Sequence, residues 1–89
     1  MKSLKEIIGK DERVWFEVWE DDFKAFLIFA KENGCKWMNG DEIKVDKDHI
    51  GHHMAINRDG QLAFVPYFAW FAKAPNLPRK ISFKEIKGE

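Results

Sequence analysis

The sequence has a single cysteine, Cys35, no surplus of either charge, and no apolar run of the length that a membrane span requires. A lone cysteine excludes an internal disulfide. Small secreted domains usually need such staples, so a reducing compartment is expected. Lys and Arg number 15, as do Asp and Glu, which gives a formal net charge of 0 at pH 7. So balanced a chain has no electrostatic drive toward nucleic acid, where phosphate neutralisation supplies most of the binding, or toward an anionic membrane. The short run Pro78-Arg79-Lys80 is the one hint of a basic patch. Without ~20 apolar residues in a row no transmembrane helix is expected. The opening MKSLKEIIGKDE is too polar for a secretory signal. The expected location is therefore the cytoplasm. Neither G-x-G-x-x-G nor G-x-x-x-x-G-K-S/T occurs, which removes two glycine-rich phosphate cradles; base stacking on Trp or Tyr stays open.

What the chain does hold is aromatic surface. Its 89 residues include eight Phe, four Trp and one Tyr. That length argues for one domain, 1–89, burying only about 60–65% of the surface of its unfolded chain. Each large ring buries ~150–250 Å², so a core this small has difficulty hiding all thirteen. Either the core is unusually aromatic or some rings face another copy or a partner.

Local patterns predict an α+β fold: a small, mainly antiparallel sheet with one main amphipathic helix packed on one face. Ser3 and Glu6 have capping-box spacing, which predicts a helical turn from Leu4 to Ile8, ended by Gly9. Residues 13–19 alternate, with Val14, Phe16 and Val18 on one face and Trp15, Glu17 and Trp19 on the other. Two Trp on the less apolar face imply that something covers that face as well. Phe23, Phe26, Leu27 and Ala30 have the spacing of a buried helical stripe, widened by Ile28 and Phe29, in a helix over 21–33. Asn33-Gly34 closes it. Residues 35–38 read as a short strand, followed by an Asn39-Gly40 turn. Arg58-Asp59-Gly60 joins two strands over 53–57 and 61–65, with Met54, Ile56, Leu62 and Phe64 toward the core. Residues 66–73 fit either a helix begun by Pro66 or a continued strand. Pro75 and Pro78 impose an irregular link, and a last strand over 80–83 leads to a second Ser-x-x-Glu turn at Ser82.

The densest polar cluster is Asp46-Lys47-Asp48-His49-Ile50-Gly51-His52-His53. His49, His52 and His53, with Asp46 and Asp48, are ligand types suited to zinc or another divalent transition metal. Gly51 interrupts regular structure there, and no distant Cys or His completes a site, so a solvated loop is the competing reading. The carboxylates of Glu20-Asp21-Asp22 fall at a helix start, where they complement the backbone amides. Cys35 adjoins an apolar strand, as expected of a buried, inert thiol. The segment Tyr67-Phe68-Ala69-Trp70-Phe71, held between prolines, is the best candidate for partner contact. Tyr and Trp dominate interface hot spots, and a stiff segment loses little entropy on binding.

The order helix, Gly34-Cys35-Lys36-Trp37-Met38-Asn39-Gly40, hairpin, Lys80-Ile81-Ser82-Phe83-Lys84-Glu85-Ile86 resembles small accessory proteins of tailed phages and prophages, over roughly residues 20–87. The resemblance implies a compact α+β fold and, by context, a protein that binds and blocks host machinery, including defence systems. The reading that follows is a non-enzymatic binding protein without a cofactor. Its contact residues would be Trp15, Trp19, Tyr67, Phe68, Trp70 and Phe71, and its partner a host protein or a second copy. Two alternatives remain open: an oligomer that sequesters a small ligand or nucleotide, and a metal-dependent enzyme built on His49–His53.

Overall fold

A computed structural model describes residues 2–45 and 53–88. The fold is α+β. Its five strands are β1 (Arg13–Glu17), β2 (Lys36–Trp37), β3 (His53–Asn57), β4 (Gln61–Phe64) and β5 (Arg79–Ser82). They form one sheet in the order β2-β4-β3-β1-β5. The helices are α1 (Leu4–Ile8), α2 (Phe23–Glu32), α3 (Tyr67–Trp70) and α4 (Phe83–Lys87), with a 3-10 turn, Glu20–Asp22, leading into α2.

The sheet is mixed, which corrects the expectation of a mainly antiparallel one. β3 lies antiparallel to β1 and to β4. Both edges are parallel, β5 on β1 and β2 on β4. Thus β3 alone runs against the other four. Two long connections join strands that are not neighbours in the sheet, β1 to β2 and β4 to β5. Here residues 18–35 cross one face of the sheet, carrying α2, and residues 65–78 cross the opposite face, carrying α3. Both faces are covered as a result. The expectation of a single dominant helix is corrected too, because α1 and α4 pack with α2 on the first face.

That first face holds the main core. Val14, Phe16, Met54, Ile56 and Leu62 from the sheet, with Val18 just beyond β1, meet Phe23, Phe26, Leu27, Phe29 and Ala30 of α2, together with Leu4, Ile7, Phe83 and Ile86. The Phe26 ring meets Phe83 edge-on at 5.3 Å and lies 5.4 Å from Phe16. The helical stripe is borne out except at Ile28, which is exposed. Phe64 is half exposed as well, stacked between Trp37 (5.3 Å) and Phe23 (6.4 Å) at the end of the sheet.

The ends of α1 behave as the spacing requires. The Ser3 hydroxyl accepts from Glu6 N at 3.2 Å and the Glu6 carboxylate accepts from Ser3 N at 3.3 Å. Leu4 N also donates to Asn33 Oδ1 at 3.0 Å, tying α1 to the end of α2. Asp22 precedes α2 but makes no side-chain cap. Its carboxylate instead holds α4: Lys87 Nζ donates to Oδ1 at 2.7 Å, and Lys84 Nζ lies 3.3 Å from Oδ2 as an ion pair.

Candidate functional site

The second face of the sheet carries a smaller apolar cluster made of Trp15, Val65 and Trp70, with Ala55, Ala69 and Leu77 against it. Strand parity puts its members together. Trp15 stands opposite Ala55 on β3 and Lys80 on β5, and Ala55 stands opposite Ala63 on β4. The small side chain of Ala55 leaves room above the sheet, and the cluster of Trp15, Val65 and Trp70 packs against it. Trp70 is 6% exposed and Trp15 8%. Their rings stack at 5.8 Å with an interplanar angle of 19°.

The remaining ambiguity over 66–73 is settled as a single helical turn. Pro66 has an extended backbone, φ -60° and ψ 149°, and α3 winds immediately after it. The Lys80 ammonium donates to the carbonyl oxygen of Trp70 at 2.6 Å and sits 5.3 Å from the Trp70 ring centroid and 6.0 Å from that of Trp15. This cation satisfies a carbonyl at the end of the turn and presents charge to two ring faces.

His53 completes the platform. It is buried and stacks on Trp70 at 4.1 Å and 16°. Tyr67 and Phe71 meet its ring edge-on at 5.3 and 5.8 Å and lie 5.0 Å from each other. Glu17 is its cross-strand neighbour on β1. The sequence pattern groups His53 with the histidine cluster and does not reveal this role. The available signal is positional: His53 is two residues before Ala55, on the face that Trp15 shares.

Of the six proposed contact residues, the structure brings Tyr67, Trp70 and Phe71 around His53, with Trp15 stacked on Trp70. Trp15 and Trp70 are inside the platform, whereas Tyr67, Phe68 and Phe71 stand out from it, 68%, 81% and 59% exposed. Phe68 makes no ring contact among the described residues. Trp19 is half exposed at the start of the 3-10 turn, outside this aromatic group.

The metal reading draws on a segment that is mostly not described: His49, His52, Asp46 and Asp48 lie outside the described residues. Among the described residues no group of three His, Cys, Asp or Glu side chains is placed to hold an ion. Cys35 is buried, and that burial pushes its thiol up to about 11. Only the thiolate alkylates readily. Iodoacetamide at pH 8 is therefore expected to leave Cys35 unmodified in the native protein and to modify it rapidly in urea; equal rates would show an accessible, activated thiol.

Compared with protein-family models, curated proteins and solved structures, the chain matches none. No helix of the described residues is long and apolar enough to cross a membrane.

Proposed function

We propose that this chain is a non-enzymatic binding protein that engages a partner protein through the α3 turn, with Phe68 and Phe71 as anchors and Tyr67 at their side. One observation carries the reading: three rings of a single turn stand in solvent while the fourth, Trp70, fixes that turn to the sheet. Apolar side chains exposed on a stiff support bind with little ordering cost, and aromatic anchors of this kind supply most of the energy of an interface. The charge around the turn suggests what the partner offers. Within the sequence no carboxylate occurs between Asp59 and Glu85, exposed Lys73 follows the turn and Lys80 is bonded to its end, while Glu17 stands beside His53 on the sheet. An apolar groove rimmed by carboxylates complements this surface. The likeness of residues 20–87 to phage accessory proteins supports a host protein as that partner and blocking as the mode of action.

The test uses the wild type and a Phe68→Ser/Phe71→Ser variant as parallel baits in cell lysate, with sedimentation velocity on each. The reading expects a protein retained by the wild type and lost, by at least about tenfold, from the variant, with both thermal midpoints alike. A wild-type dimer that the variant dissociates would make the partner a second copy. Identical retained sets together with monomeric wild type would overturn the reading.

A further inference from the structure

A second site lies on the other side of the sheet from α3. A cleft of about 540 Å³ opens between the end of α1, the end of α2 and the β3–β4 turn, lined by Leu4, Ile8, Lys5, Lys10, Asn33 and Arg58, with Asp59 and three glycines. Its volume falls within the range of small-molecule sites. Buried Leu4 and Ile8 supply an apolar floor. The glycines, Gly9, Gly34 and Gly60, all have positive φ, so the chain reverses at each with no side chain to narrow the opening. A Cβ at Gly34 would meet nothing within 4 Å.

The charges of the cleft are one-sided in a chain that is neutral overall. Lys5, Lys10 and Arg58 face one acid, Asp59. Neither lysine has a carboxylate partner among the described residues. Arg58 is held in place by its backbone contacts: Nε donates to Asp11 O at 3.2 Å, and Nη2 donates to Asp11 O at 3.1 Å and to Lys10 O. Its Nη1 has no partner among the described residues and stays free for a ligand. Three of the carbonyl groups ending α2, those of Phe29, Ala30 and Lys31, are engaged by donors rather than left open toward an anion. Cys35 N and Asn33 N donate to Ala30 O, Gly34 N to Lys31 O, and Asn33 Nδ2 to Phe29 O.

The geometry points to a binding site for a small organic anion with an apolar body, its head group at Lys5, Lys10 and Arg58 and its body on Leu4 and Ile8. A nucleoside monophosphate and a medium-chain fatty acid share that chemistry. The site is independent of the α3 reading and stands or falls without it.

The experiment is an amide NMR titration of the full chain with 8-anilinonaphthalene-1-sulfonate, repeated with competing AMP and octanoate. The expected result is saturating shifts at the Gly9, Gly34 and Gly60 amides below ~1 mM. A Lys5→Glu/Lys10→Glu variant should weaken them at least tenfold; both lysines are exposed, so its fold is retained. Displacement by AMP alone would assign a phosphate head and an aromatic body; displacement by octanoate alone, a carboxylate and an aliphatic one. Any dye on the α3 rings would shift the amides of 67–71 and survive the lysine reversal. The absence of saturating shifts at the three glycines, or unchanged affinity in the variant, would overturn the proposal.

Discussion

Trp70→Ala is expected to lower the unfolding free energy by about 3 kcal/mol, whereas Phe68→Ala, two residues earlier, leaves it within about 0.5 kcal/mol. Trp70 is buried against Trp15, His53 and Val65, so its removal opens a cavity and frees α3 from the sheet. The lower end of the range for large-to-small changes applies because this cluster is small and partly able to collapse. An 89-residue domain has on the order of 5–10 kcal/mol in total, so the loss corresponds to a fall in thermal midpoint of roughly 15 °C. Phe68 is 81% exposed and gives up no burial. Urea unfolding of the two variants separates structural from contact rings. Equal losses would mean that Phe68 is packed in solution and that the α3 surface is not free. A negligible loss at Trp70 would remove the fixed platform on which the binding reading depends.

Why the sequence left this distinction open is a matter of period. In a strand, Tyr67, Ala69 and Phe71 would share one side, and Phe68 and Trp70 the other. In the helical turn that forms, Phe68 and Trp70 point apart, and Tyr67 and Phe71, four residues apart, flank His53. Five residues with four aromatics carry no polar marker that selects one period. The helical turn lies within the return of the chain from β4 to β5, and it is there that Trp70 reaches Trp15 and His53. Patterns set by near neighbours were legible: the Ser3–Glu6 box, the stripe of α2, and the hairpin around Gly60. The parallel edges were not, because β2 meets β4 over only two residues, Lys36 and Trp37, and β5 meets β1 across more than half the chain. The face that Trp15 occupies implies that it is covered; the identity of its cover, Trp70 with Lys80, has no local marker. The cleft at Lys5, Lys10 and Arg58 joins three segments remote in sequence, and no local motif announces it.

Asp22 gives the second large effect, and it depends on pH. Its side chain is 8% exposed and receives Lys87 and Lys84 from α4. The hydrogen bond from Lys87 holds Asp22 below its ordinary value of 3.8, against the desolvation that pulls the other way, with Lys84 adding to the lowering. A charge-assisted hydrogen bond at a buried carboxylate contributes about 2 kcal/mol, once the exposure of Lys84 is discounted. Asp22→Asn should therefore destabilise the protein by about that amount at pH 7. Since the folded-state pKa is depressed, the contribution is fully present above the unfolded value and is lost as the pH falls through the folded one. Other carboxylates also titrate in this range, so the informative quantity is the difference between wild type and variant. That difference should be constant from pH 7 down to about 5 and shrink as the pH falls below the ordinary value of 3.8 toward and through the lowered folded-state one. Urea midpoints across this range measure it. A gap that persists at the acid end would mean that the substituted amide fails by shape or packing rather than by lost charge. A gap absent at pH 7 would mean that α4 is held by Phe83 and Ile86 alone, with the ion pairs contributing nothing to its attachment.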